Sequence, residues 1–359
     1  MMSDSTLEKF GWDSFFEGGF APYRHQEYAV GRVAIQHKDH YVLYTCGGEV
    51  WAEVCGKMRF EASGRQDFPA VGDWVVIQSR PQEDEATIHY VLQRKTKFSR
   101  KIAGLKTEEQ ILAANIDTVF LVSGLDSDFN LRRIERYLSV VWESGASPVI
   151  VLNKADICDD INQKVREVES VAFGVQLLVI SALNKQGTEA LTAILERGRT
   201  GALLGSSGVG KSTITNLLLG SERQKVREIR KGLGRGKHTT SHRQLIPLPS
   251  GGLIIDTPGM REFQLWSGGE GLKESFEDVE ALAKKCRFRN CQHDHEPDCA
   301  VREALERRSL DPQRFQSYHK LQREFHYVKR KQDERAALLE KERWKRLTRI
   351  FNQSIKKRE

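Results

Sequence analysis

The 359-residue chain has no apolar run near the ~20 residues that a membrane-spanning helix requires, so a helical membrane protein is not expected. It also lacks a basic start followed by an apolar core, since residues 1–20 hold four acids and one lysine. A secretory leader is therefore not expected, and the cytoplasm is the expected compartment. Six cysteines are too few for a disulfide scaffold in a chain of this length. There are no internal repeats. Residues 1–326 even lack net charge: residues 327–359 carry 12 Lys/Arg against five Asp/Glu, which accounts for the whole formal +7. The remaining composition, 39% hydrophobic and 29% charged, suits a soluble globular protein of two or three domains.

The basic tail is not uniformly polar. Leu338, Leu339, Trp344, Leu347, Ile350 and Phe351 interleave with its cations, and helical spacing gathers most of them on one face. Such an arm fits docking on a phosphate backbone, where each contact releases condensed counterions. A solvated helix is the plainer alternative.

Residues 29–93 alternate short β-rich runs with turns: Val30–Ile35, Tyr41–Thr45, Val50–Val54, Trp74–Ile77 and Thr87–Leu92, with Gly47-Gly48 as a hairpin turn. Five such strands predict a small β-barrel, either an OB-fold or an SH3-like barrel. Residues 94–112 read as a basic connector. Beyond it, buried-strand patterns at Asp117–Ser123, Pro148–Asn153, Val175–Ser181 and Gly201–Gly205 alternate with helix-length segments around 130–144, 160–172 and 187–197. That alternation predicts a mostly parallel sheet covered on both faces. Leu245–Leu248 and Leu253–Asp256 read as an added hairpin, and the chain from about 272 onward reads as helical.

The strongest local signal is Gly205-Ser206-Ser207-Gly208-Val209-Gly210-Lys211-Ser212, a complete phosphate-binding loop between a strand and an apolar helix. Its backbone N–H groups would cradle phosphates from Gly205 through Thr213, Lys211 would reach the β/γ oxygens, and Ser212 would ligate Mg²⁺. Asn153-Lys154-Ala155-Asp156 follows a buried strand and matches NKxD, the guanine-reading signature. Asp156 can accept two hydrogen bonds from guanine, whereas adenine would leave it unpaired. Asn153 and Lys154 would brace the loop and cover the base. Ser181-Ala182-Leu183 ends the next strand and matches the SAx element that contacts guanine through backbone N–H. Asp256-Thr257-Pro258-Gly259 matches DxxG, with Asp256 toward Mg²⁺ and the Gly259 N–H toward the γ-phosphate. The glycine-rich basic stretch 232–240 between them suits a switch loop, with Thr240 preferred to Thr239 as the residue reaching Mg²⁺.

NKxD and SAx here precede the phosphate loop, the switch threonine and DxxG, so the set is complete but circularly permuted. Near the C-terminus, Cys286, Cys291, His293 and Cys299 fall within fourteen residues. Three thiolates and an imidazole form a closed tetrahedral donor set for one structural Zn²⁺. Asp294 or His295 could replace His293 on spacing alone.

These motifs, with Phe68-Pro69-Ala70-Val71-Gly72-Asp73-Trp74-Val75, Lys237-His238-Thr239-Thr240 and Asp256 to Phe263, resemble one family over residues 28–325. It is the circularly permuted, small-ribosomal-subunit-dependent GTPases, also called ribosome small subunit-dependent GTPase A. The resemblance implies a multi-domain α/β chain: an N-terminal segment (1–27), an OB-like β-barrel (28–95), a circularly permuted P-loop GTPase domain (96–270), a helical zinc-binding domain (271–326) and a basic tail (327–359). It also implies His293 as the fourth zinc ligand. GTP hydrolysis stimulated by the small ribosomal subunit and its rRNA, during late maturation, is the implied activity, with GTP and GDP as ligands and a monomer expected. Some relatives carry a basic N-terminal arm, whereas here the basic arm is C-terminal.

Many GTPases place a water-orienting Gln directly after DxxG, but this chain has Met260 there. His238, beside the switch threonines, is the candidate for water positioning, a role the resemblance supports. Lys211, Thr240 and Mg²⁺ would supply the electrostatics. A GTP-sensing RNA-binding scaffold with incidental hydrolysis is the alternative.

Overall fold

The computed structural model describes residues 5–24, 27–38, 40–80, 85–101, 109–220, 243–256, 270–327 and 329–330. Five strands, β1 (Ala29–Gln36), β2 (Tyr41–Thr45), β3 (Gly48–Val54), β4 (Trp74–Arg80) and β5 (Glu85–Val91), pair in the order 1-2-3-5-4. Pairing of β1 with β4 closes the barrel, and only β3 and β5 run parallel within it. Successive side chains on a strand point to opposite faces. Val33, Leu43, Val75, Ile77 and Ile88 therefore fill the barrel, while Val30, Val42, Tyr44, Trp74 and Val76 face outward into a second core. This closed order is that of an OB-fold, which decides between the two barrels left open by the sequence. The β2–β3 turn falls at Cys46-Gly47, one residue earlier than expected, and Gly48 begins β3 at φ +117°.

The segment expected as a connector contains a hairpin, β6 (Lys97–Lys101) with β7 (Glu109–Ala114). Beyond it lie β8 (Thr118–Gly124), β9 (Ser147–Asn153), β10 (Gln176–Val179), β11 (Thr200–Leu204), β12 (Gln244–Pro247) and β13 (Leu253–Asp256). Their spatial order is β10-β9-β8-β11-β13-β12, parallel except for β12. Both faces are covered. Phe120, Val122, Val149 and Val151 pack with Leu191, Ile214 and Leu218, and the alternating Val119, Leu121, Ile150 and Leu152 pack with Ile134, Leu138 and Val141. The latter three lie on the helix Leu131–Ser144, which Asn130 caps by accepting the Arg133 N–H at 3.0 Å and Gly145 ends at φ +83°.

Barrel and sheet are joined. β12 pairs with β1 at Gln244 and Ile35, and Tyr44 donates its hydroxyl to the Leu245 carbonyl at 3.1 Å. Residues 5–24 also pack here, with Phe10 stacked on Tyr44 and Trp12 edge-on to Trp74, each pair 4.7 Å between centroids. At the centre lies Arg32, 2% exposed. Its guanidinium donates to the carbonyls of Phe10, Gly72 (3.2 Å) and Asn115 (2.9 Å), one each from the N-terminal segment, the barrel and the entry to the sheet. Burial pushes its pKa down to about 10, so it remains a cation at neutral pH. Gly72 must be glycine, because its φ is +92° and a Cβ would lie 2.1 Å from the Ala114 carbonyl oxygen. Its neighbour Asp73 forms a bidentate pair with Arg94 at 2.7 and 2.8 Å. The Phe68–Val75 motif thus lies at the junction of the barrel and the sheet.

The C-terminal helices dock on Leu131–Ser144. Arg314, 4% exposed, pairs with both oxygens of Asp278 at 2.7 Å and with the buried Glu135 at 2.8 Å, while Arg136 pairs with Glu324 at 2.8 Å. Among the described residues, no helix is long and apolar enough to cross a membrane.

Replacing Arg32 with Ala strands three buried carbonyls, and a charged-group hydrogen-bond network of this kind is expected to cost about 3 kcal/mol. Urea denaturation of Arg32→Ala beside Arg59→Ala, on the barrel surface, measures it; equal midpoints for the two variants would contradict this role.

Candidate functional site

Parallel strands β9, β10, β11 and β13 all end at the same edge of the sheet, the position where open α/β sheets bind ligands. NKxD follows β9, SAx follows β10, the phosphate loop follows β11, and DxxG begins at the end of β13. Permutation has therefore changed the chain order of the loops and kept their spatial neighbours.

One side chain links three of these loops. Asn153, 3% exposed, donates from Nδ2 to the Val209 carbonyl at 2.8 Å and accepts the Ala182 N–H on Oδ1 at 2.9 Å. Its own carbonyl accepts the Leu125 N–H at 2.8 Å. The NKxD asparagine thus ties the phosphate loop to SAx. Gly210 lies against it: φ is +99°, and a Cβ there would sit 2.2 Å from Asn153 Nδ2.

The Lys211–Leu218 helix starts directly after Gly210, so its first N–H groups and partial positive charge border the loop. Lys211 donates its ammonium to the carbonyls of Gly205 (2.8 Å) and Ser206. Ser207, Gly208, Ser212 and Thr213 are exposed, while Val209 is buried and anchors the loop to the sheet core. Asp156 is exposed, with Oδ1 held by the Ser181 hydroxyl at 2.5 Å; Ser181 Oγ in turn accepts the Asn184 N–H at 3.2 Å. The serine of SAx thus holds the carboxylate of NKxD in place through its side chain. Asp256 lies at the end of β13. His238, Thr239, Thr240, Gly259 and Met260 lie outside the described residues.

Two residues near the site belong to no motif. Asp126 accepts the Lys154 ammonium at 2.6 Å, and Asp128 accepts the Ser206 hydroxyl. Their only signal in the sequence is position, immediately beyond a buried strand whose C-terminal end faces the ligand edge.

A second cluster forms at residues 286–299. The donor atoms of Cys286, Cys291, His293 and Cys299 all lie within 4.8 Å of one another. Cys286 and Cys299 sulfurs are 3.8 Å apart, far beyond a disulfide and close to the edge of a tetrahedron with ~2.3 Å metal–sulfur bonds. His293 Nδ1 lies 3.6 and 3.4 Å from those sulfurs. This set could hold one metal ion. Asp294 and His295 are exposed and outside it. Glu296 shapes the intervening loop by accepting the N–H groups of Gln292, Asp294 and His295, and these bonds pull its pKa down to about 2.

The sheet order and the four loops at its edge define a circularly permuted GTPase, carried between an OB-like barrel and a helical unit with a metal-ligating cluster. The family model described as RsgA GTPase matches residues 91–266, and that described as 50S ribosome-binding GTPase matches residues 200–340. A small ribosomal subunit biogenesis GTPase RsgA from Opitutus terrae is 47% identical, over 95% of this chain and 96% of its own. RsgA 1 from Oceanobacillus iheyensis is also 47% identical, over 89% and 91%. The crystal structure of YjeQ from Thermotoga maritima superposes with a TM-score of 0.62 at 27% identity, covering 84% of this chain and 98% of that one. YloQ, a circularly permuted GTPase, shares the fold at a TM-score of 0.60 and 22% identity, covering 87% and 98%. The chain belongs to the RsgA GTPase family.

Asn153→Ala is expected to weaken GDP binding about tenfold by releasing the loops it joins, and Gly210→Ala to weaken it at least as much. Equilibrium titration with GDP checks this, with Glu169→Ala as a surface control; wild-type affinity in Asn153→Ala would contradict the bracing role.

Proposed function

We propose that this chain is a GTPase that binds the small ribosomal subunit and hydrolyses GTP to GDP and phosphate during late maturation of the subunit, with the subunit stimulating the reaction. The observation that carries the reading is the meeting of the permuted motifs at one sheet edge, where Asn153 of NKxD joins the phosphate loop to SAx. End-to-end similarity to proteins named for small-subunit biogenesis supports the partner.

Within this reading Asp156, held by Ser181, reads the guanine edge, Lys154 covers the base, and Ala182 offers its N–H. Residues Gly205 to Thr213 cradle the phosphates, Lys211 neutralises the β/γ oxygens, and Gly259 senses the γ-phosphate. Ser212, Thr240 and Asp256 are the residues that would hold Mg²⁺, whose charge offsets that developing on the transferred phosphoryl. Met260 cannot orient water, so His238 takes that role. Turnover by the free chain is accordingly slow, because the positioning group is completed only on the subunit.

Cys286, Cys291, His293 and Cys299 would hold one Zn²⁺ in a closed, structural site. The exposed Lys284, Lys285, Arg287 and Arg289 beside it and the basic tail suit contact with rRNA. The chain acts as a cytoplasmic monomer.

A scaffold for which hydrolysis is incidental would leave the subunit equally fast with GTP or a non-hydrolysable analogue. The GTPase reading expects release with GTP and retention with the analogue, scored by co-sedimentation with purified small subunits. His238→Ala is expected to bind GTP and the subunit yet behave, with GTP, as wild type does with the analogue. Equal release under both nucleotides would overturn the reading.

A further inference from the structure

Residues 125–130 link β8 to the Leu131–Ser144 helix and touch three parts of the nucleotide site. Leu125 donates its N–H to the Asn153 carbonyl at 2.8 Å. Asp126 Oδ2 accepts the Lys154 ammonium at 2.6 Å, while Oδ1 accepts the Asp128 N–H at 3.1 Å, folding the loop on itself. Asp128 accepts the Ser206 hydroxyl and also the Arg133 guanidinium at 3.0 and 3.1 Å. Arg133 donates in addition to the Asp128 carbonyl at 2.6 Å, which fixes the loop on the first turn of the helix. Lys154 holds the Asp126 carboxyl below its usual range, and the Ser206 hydroxyl with Arg133 does the same for Asp128. Both are therefore ionised at neutral pH.

We propose that the 125–130 loop is a positioning strap for the guanine-nucleotide site, in which Asp126 fixes Lys154 over the base and Asp128 fixes Ser206 of the phosphate loop. The proposal rests on the guanine-nucleotide reading above. Asp126 and Asp128 are positioning residues: they act through Lys154 and Ser206, and base identity stays with Asp156.

Two effects of losing Asp126 oppose each other. A released Lys154 must be ordered anew at each binding event, which weakens binding by about three- to tenfold. The same release leaves an unneutralised ammonium that would attract phosphate. Lys154 is part-exposed and belongs to the base end of the site, and attraction through water fades beyond ~8–10 Å at physiological salt. The ordering cost therefore wins, and affinity falls.

The test uses the full chain and equilibrium competition of GDP, IDP and ADP against a fluorescent methylanthraniloyl-GDP probe, at 0.15 M and 0.5 M salt as nominal, approximate conditions. IDP lacks the exocyclic amine, so the GDP-to-IDP ratio reports Asp156. Asp126→Ala is expected to weaken GDP and IDP by one common factor of about three to ten at both salts, with their ratio unchanged. Asp126→Asn, which keeps an acceptor for Lys154, recovers part of that loss and carries the test should Asp126→Ala fail to fold. Ser206→Ala and Asp128→Ala break one contact from opposite sides, so the double variant is expected to bind no more weakly than Asp128→Ala alone. Wild-type affinity in Asp126→Ala, a changed GDP-to-IDP ratio, or full additivity of the Ser206 and Asp128 effects would overturn the strap. A wild-type chain that binds ADP as well as GDP would instead overturn the guanine-nucleotide reading itself.

Discussion

The nucleotide site depends on the amide of Asn153. A circular permutation cuts a chain at one connection and rejoins it at another, so loops that must cooperate no longer follow one another in the original order. What preserves the site is contact between loop neighbours in space, and Asn153 makes it: one amide end binds the phosphate loop, the other binds SAx. Both bonds are buried, where a lost partner leaves a polar group unsatisfied and the penalty is largest. Gly210 has no side chain because that amide fills its space.

Two buried arginines then attach the flanking units to this domain. Arg32 gathers carbonyls from the N-terminal segment, the barrel and the sheet entry. Arg314 joins Asp278 and the Ser275 carbonyl to Glu135 on a helix of the GTPase domain. That helix begins at the loop gripping Lys154 and Ser206, so the C-terminal unit and the nucleotide loops are anchored to opposite ends of a short stretch of chain. Permutation also makes the C-terminal unit the continuation of the chain beyond DxxG. The C-terminal unit is thus tied to the site twice, by the ion pairs it makes with that helix and by the chain that runs on from Asp256.

Elements governed by local patterns were legible in the sequence. Buried parallel strands appear as apolar runs, barrel strands as alternation, and phosphate loop, NKxD and the Cys/His cluster as contiguous spacings whose chemistry is local. Contacts set by tertiary packing were not. Glu135 and Arg314 are 179 positions apart, and Arg32 is an ordinary cation on a strand until three distant carbonyls surround it. The β6–β7 hairpin hid within a basic connector because Lys97, Arg100 and Lys101 mask the buried Phe98, Ile111 and Leu112. The acidic, aromatic N-terminal segment gave no sign that Trp12 and Phe16 pack on Trp74. Asp126 and Asp128 lie in no motif, and only the sheet edge explains their position.

The central claim is a guanine-nucleotide hydrolase completed by its ribosomal partner. Steady-state GTP turnover by the wild-type chain, alone and with purified small or large ribosomal subunits, tests it most directly. The account predicts slow turnover alone, at least about tenfold acceleration by small subunits in keeping with partner-completed phosphoryl-transfer sites, and little response to large ones. Equal turnover in all three conditions, or acceleration by large subunits only, would contradict it.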